Sequence, residues 1–313
     1  MKMRHIGWTT ICGLVVGIGW VITSWSSPQG PSSGTVSVKI VVSVEAKRGK
    51  EVPAINREDV RAFVEGNRVS VTDWVPLHGD QAGLELFVLI DDSIDQDVAL
   101  QFDDLRNFMN AQPGTTSIGV GYMRNGTVQI VQNLTQDHSL AGKALRLPMG
   151  AGIGITSPYL AVSDLTKRWP ESANRHEILM ISDGVDILQT GPYPPDLEGT
   201  IDRTQRAGVQ VYAVYASGVG HSAHSLYRIN WGQSNLAQLA EQTGGEAYFQ
   251  GFQTPISYAP YLEKLADRLN HQYRLEFLVP QDKRATFRPI RLETEVPNAE
   301  LLAAERIYVP AGK

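Results

Sequence analysis

Three short polar clusters hold the residues best suited to chemistry: Asp91-Asp92-Ser93-Ile94-Asp95, Ile155-Thr156-Ser157 and Asp183-Gly184. Each offers carboxylate or hydroxyl oxygens. Such oxygens serve hard cations, and they serve equally as caps at the start of a helix, where the dipole favours negative charge. The first cluster follows the apolar run Phe87-Val88-Leu89-Ile90, and the third follows the apolar stretch 178–182. Both therefore fall at the carboxyl ends of strands, where ligands bind in doubly wound sheets.

Catalytic readings find little support. Asp91-Asp92-Ser93 lacks the second aspartate, two residues after the first, that a phosphoaspartate-forming loop uses as its general acid. Gly150-Ala151-Gly152-Ile153-Gly154 does not sit between a strand and a helix as a dinucleotide loop does, so it reads as a turn. His221 and His224 lie in a Ser/Gly-rich stretch without helical i, i+4 spacing, which is the pattern of a solvated loop. Asn125-Gly126-Thr127 and Asn133-Leu134-Thr135 fit glycosylation acceptors and fit strand-flanking turns equally well. No Ser/His/Asp order stands out, and the expectation is a non-enzymatic protein with no catalytic residues.

The elements that must position these clusters follow from patterning. With 313 residues, 42% hydrophobic content and a net charge of −5, the chain has material for a large α/β domain and a smaller companion, and lacks the basic face that nucleic acid requires. Lys2 and Arg4 precede an apolar stretch at 11–22, and Ser24-Trp25-Ser26 offers small residues around a cleavage point. Residues 1–26 thus read as a signal peptide or an uncleaved membrane anchor, and 27–34 as a Ser/Pro/Gly linker. Either way the chain is exported: periplasmic, extracellular or anchored. Cys12 is the only cysteine, so the folded part carries no disulfide or thiolate site. Alternation over Thr35–Ala46 predicts a strand, and Val60–Val64 with 69–71 a hairpin turning at Glu65-Gly66-Asn67, so 35–80 is an N-terminal β segment. From residue 84 strands alternate with helices. Strands are expected at 84–90, 117–123, 128–133, 178–182, Val209–Tyr215 and 247–249. Helices are expected at 98–110, 140–145, 158–169, 199–207, 236–243 and 261–270. Strands return at 273–279, 289–296 and Arg306–Val309. The fold class is α/β: a doubly wound, mostly parallel sheet over 81–272, inserted between 35–80 and 273–313, whose strands form one smaller β domain.

The strand-end set resembles the von Willebrand factor A domain, whose metal site is D-x-S-x-S with a distant Thr and a distant strand-end Asp. That resemblance implies Asp91, Ser93, Thr156 and Asp183 as ligands of Mg²⁺ or another divalent cation, with Asp95 standing where the second serine belongs. Hydroxyls ligate without adding charge, leaving the ion able to accept a partner's carboxylate. The extra carboxylate of Asp95 either joins the ion and weakens that pull or serves as a helix N-terminal residue. A narrower resemblance is to acidobacterial VWFA-related exported proteins, through 55–67, Leu239-Ala240-Glu241-Gln242-Thr243-Gly244-Gly245, Tyr273-Arg274-Leu275-Glu276-Phe277 and Arg306-Ile307-Tyr308. It implies adhesion or protein binding, with an unidentified protein partner chosen by the loops at 150–157, 184–198 and 218–234, or else a metal-free scaffolding module.

Overall fold

The computed structural model describes residues 34–49, 51–79, 83–150, 157–188, 191–220 and 225–312. The expected signal peptide or anchor, nearly all of the linker, Cys12, Thr156, His221 and His224 lie outside the described residues. Among those described, no helix is long and apolar enough to cross a membrane.

Eight consecutive buried residues form strand β4 (Leu84–Asp91), as a strand covered on both faces requires. Its neighbours β5 (Thr116–Arg124) and β7 (Arg175–Ser182) both run parallel to it. With β6 (Thr127–Thr135), β8 (Val209–Tyr215) and β9 (Ala247–Tyr248) the order is β6-β5-β4-β7-β8-β9, antiparallel only at the β6 edge. The chain steps from β4 to β5 on one side, then returns to β7 on the other, which puts the topological switch point between β4 and β7.

Among the described residues six helices flank this sheet: α1 (Phe102–Asn110), α2 (His138–Lys143), α3 (Pro158–Arg168), α4 (Pro195–Ala207), α5 (Leu226–Thr243) and α6 (Ala259–Asn270). The period-two alternation of β4 divides its side chains between two cores. Leu86, Val88 and Ile90 pack with Leu105, Met109 and Leu265 on one face, while Phe87 and Leu89 pack with Val162, Ile201 and Leu236 on the other.

The chain ends pair with each other. β1 (Thr35–Ala46), β2 (Val60–Val64), β3 (Asn67–Pro76), β10 (Gln272–Pro280), β11 (Thr286–Thr294), β12 (Ala299–Leu302) and β13 (Arg306–Val309) make one antiparallel sheet in the order β12-β1-β10-β3-β2-β11-β13. β10 lies between β1 and β3, with Val42 opposite Tyr273 and Trp74 opposite Leu275. Trp74 stacks on Tyr273 at 4.4 Å and donates its indole N–H to the Ile55 carbonyl at 3.0 Å. A polar seam joins this sheet to the α/β unit: Arg268 pairs with Glu45 and Glu246, Gln272 donates to Gln210 at 3.0 Å, and Arg306 reaches Asp202 at 2.8 Å.

Several elements differ from expectation. The helix expected at 98–110 begins as a 3-10 turn at Gln96–Gln101, capped by Asp95. α5 starts ten residues before the expected 236, and β12 had no counterpart in the sequence reading.

Candidate functional site

Ile90 is in register with Ile181, so Asp91 of β4 and Ser182-Asp183 at the end of β7 emerge together. Asp91 and Ser182 are fully buried and Asp183 is 4% exposed. The Asp91 carboxylate is enclosed by hydroxyls. Its Oδ1 accepts from the Ser93 amide at 2.9 Å and the Ser93 hydroxyl at 2.7 Å, and its Oδ2 accepts from the Ser182 hydroxyl at 2.8 Å. Burial nonetheless pushes its carboxyl above the usual range.

Asp183 shares that environment. Burial, and then repulsion from Asp91, push its carboxyl up to about 8, against a hydrogen bond from the Val185 amide at 2.9 Å. Neither carboxylate forms an ion pair among the described residues. Two buried, mutually repelling carboxylates, one of them held by serine hydroxyls, are chemically suited to a hard cation, which would offset both charges at once. Asp91, Ser93 and Asp183 fit that role.

Asp92 and Asp95 are committed elsewhere. Asp92, fully buried, receives both terminal nitrogens of Arg146 at 2.7 and 2.8 Å, and the guanidinium stacks on the Tyr122 ring at 3.6 Å. Asp95 accepts from the Asp97 amide at 2.9 Å as cap of the 3-10 turn, while its own amide bonds the Ser217 carbonyl. One oxygen of Asp95 thus serves the cap, one of the two roles open to it in sequence. Among the described residues no three His, Cys, Asp or Glu side chains are grouped to hold a metal, so hydroxyls must complete any such site.

Ser157 stands in one of the sequence clusters, whereas its partner Asp186 and Tyr159 carry no sequence signal of their own. Ser157, cap of α3, donates to Asp186 at 2.7 Å, and Tyr159 donates to the Gly184 carbonyl at 2.5 Å, tying α3 to the turn after β7. Ser182 was legible only as the last strand residue, although a hydroxyl directly before a strand-end Asp-Gly is a usable signal. The central unit, with its strand order and its acids at the β4–β7 switch point, is a doubly wound, mostly parallel α/β fold, as the resemblance to the von Willebrand factor A domain implies.

No protein-family model and no curated protein matches the chain. Among solved structures the chain is similar to BatB from Bacteroides thetaiotaomicron, at 11% identity and a TM-score of 0.42 over 60% of this chain and 97% of that one. It is similar to an aerotolerance-related membrane protein from Bacteroides fragilis, at 12% identity and a TM-score of 0.41 over 60% and 99%. It is also similar to a von Willebrand factor type A protein from Catenulispora acidiphila, at 10% identity and a TM-score of 0.46 over 91% and 76%.

Proposed function

We propose that this chain is an exported or membrane-anchored, non-enzymatic protein whose A-type domain captures a protein partner at the β4–β7 strand ends, with Mg²⁺ or a similar cation held by Asp91, Ser93, Asp183 and Thr156. The buried Asp91–Asp183 pair carries this reading: among the described residues neither forms an ion pair, and the attraction of Arg228 on Asp183 is outweighed by burial and by repulsion from Asp91. A divalent ion in that position supplies a Lewis-acidic site for a partner's carboxylate. The chain's own residues supply the rest: Ser182 and Ser93 orient Asp91, and Tyr159 fixes the Asp-Gly turn. Export rests on Lys2, Arg4, the apolar 11–22 stretch and the following linker.

A second reading is a metal-free interaction module. It is favoured by one observation, that both oxygens of Asp91 are already satisfied by serine hydroxyls. Titration calorimetry of the full chain with Mg²⁺, Mn²⁺ and Ca²⁺ decides between the two. Saturable binding lost in Asp183→Ala supports the metal site, whereas absence of heat for all three ions overturns it in favour of the module. Turnover of phosphoester or peptide substrates, lost in Asp91→Ala, would overturn the non-enzymatic reading.

A further inference from the structure

Large apolar side chains left in water gather at the carboxyl edge of the α/β sheet. Leu100, Tyr193, Tyr227, Phe252 and Ile256 are all exposed, and each lies between a strand end and the body of the next helix. Leu100, Phe252 and Ile256 line one cleft, and exposed apolar groups brought together in this way mark interaction surfaces. Beside the oxygen cluster a cleft of about 570 Å³ opens between the 3-10 turn Gln96–Gln101 and the segment 252–256. Leu100, 80% exposed, and Ile256, 96% exposed, stand on its walls with Phe252 and Pro255, and Asp95 and Asp97 line it as well. Among the described residues no Lys, Arg or His lines it, and neither aspartate pairs with a cation.

The cleft is built in advance. The Asp95 amide donates to the Ser217 carbonyl at 2.9 Å, Ser217 and Thr254 exchange amide-to-hydroxyl bonds at 2.9 and 3.0 Å, and Ile94 bridges Gly218. Gln101, only 5% exposed, donates to the Ile256 carbonyl at 3.0 Å, while its Oε1 is buried without a hydrogen-bond partner. A cross-braced cleft with apolar walls and charge of one sign matches a ligand that is apolar along its sides and cationic at one point.

We propose that this cleft docks a segment of a partner protein in which a lysine or arginine stands between large apolar side chains. The aliphatic stem of such a residue lies along Leu100 and Ile256 while its head meets Asp95 and Asp97, and the Phe252 ring favours a cation over its face. An acidic segment, or an anionic lipid surface, meets repulsion at the same two aspartates. The proposal rests on reading this edge as a partner-binding face but not on the cation, because Asp97, Leu100 and Ile256 lie outside the oxygen cluster.

The test is binding of the full chain to an array of seven-residue peptides, with and without chelator, followed by fluorescence polarisation of the best peptide. Enrichment of peptides with Lys or Arg beside Leu, Ile, Phe or Trp is expected. Replacing that basic residue by Glu is expected to weaken binding at least tenfold, as are Asp97→Asn and the double variant Leu100→Ser/Ile256→Ser, which change only exposed side chains. Binding should persist in chelator. No enrichment, enrichment of acidic peptides, or affinity unchanged in these variants would each overturn the proposal. Binding abolished by chelator yet indifferent to Asp97→Asn would place the peptide on the metal site and overturn it too. Absence of Mg²⁺ binding by calorimetry defeats the metal reading while leaving the peptide result standing.

Discussion

Gly232 of α5 lies so close to Asp183 that a β-carbon on it would fall 2.0 Å from the Asp183 carbonyl oxygen. The contact is reciprocal, since a β-carbon on Gly184, whose φ is +68°, would fall 2.3 Å from the Gly232 carbonyl oxygen. Two glycines thus let helix backbone and strand-end turn touch, and the helix sets the position of Asp183. Gly232→Ala gains about 1 kcal/mol of helix propensity but forces backbone against backbone, an overpacking cost of about 1–3 kcal/mol or more. The clash wins, so urea denaturation should show net destabilisation and cation affinity should fall. Gly199→Ala in α4, whose β-carbon would meet nothing within 4 Å, is the control and should stabilise by about 0.5–1 kcal/mol.

Arg146 is the counter-charge of a fully buried Asp92. Removing one member of such a pair strands the other, which costs about 3–5 kcal/mol. Arg146→Ala should therefore destabilise by about 3 kcal/mol, measured by chemical denaturation. Arg146→Lys should restore only part, because an ammonium cannot make the two parallel bonds at 2.7 and 2.8 Å. The double variant Asp92→Asn/Arg146→Met should lose less than the sum of the singles.

Sequence pattern carried the fold further than the site. β4, β7 and β8 announce themselves as apolar runs because both faces are covered, and the acids at 91 and 183 stand out because they interrupt those runs. The pairing of both chain ends was legible as a simple architecture, and β10 between β1 and β3 realises it. Residues 226–235 read as loop because Gly232 and the serines weaken local helix propensity. Their helicity comes from packing on the Asp183-Gly184 turn, a tertiary contact that no window reports. The Arg146–Asp92 pair spans 54 positions, and the choice of Asp95 for the Asp97 amide depends on a 3-10 turn that periodicity could not place. Thr156 lies outside the described residues.

A pH response is expected at the opposite end of β4. Burial holds the His176 imidazole below its ordinary 6.5, outweighing the attraction of Glu85 3.5 Å away, so at neutral pH it stacks uncharged on Trp169 at 4.9 Å. Burial also disfavours the Glu85 carboxylate, but hydrogen bonds led by that from Trp169 at 2.7 Å hold it below its ordinary 4.5. At these two groups the folded state takes up fewer protons than the unfolded one, the opposite of Asp91 and Asp183, whose raised carboxyls take up more. The contribution of His176 to stability therefore falls as pH drops below 6.5 toward its folded pKa, and that of Glu85 falls below 4.5. The first decline should not exceed about 1.4 kcal/mol per pH unit, the limit for one proton. Urea titrations followed by tryptophan fluorescence should show it as a difference between the native chain and His176→Gln that shrinks as pH drops below 6.5.

Asp95 offers the sharpest division between fold and site. Its carboxylate holds the Asp97 amide at 2.9 Å, and a serine at the same cap makes an equivalent bond. Asp95→Ser should therefore shift stability by no more than about 0.5 kcal/mol, within the range of surface substitutions. If the cap is its whole role, Mg²⁺ affinity measured by calorimetry changes less than about threefold, since a tenfold change corresponds to about 1.4 kcal/mol of lost ligation. Asp183→Asn keeps an acceptor for the Val185 amide while removing the charge that repels Asp91, so above about pH 8 it should raise or preserve stability while abolishing Mg²⁺ binding. Opposite movement of stability and affinity in that variant separates a carboxylate kept for an ion from one kept for the fold. A parallel loss of both would assign Asp183 to the architecture of the β7 turn instead.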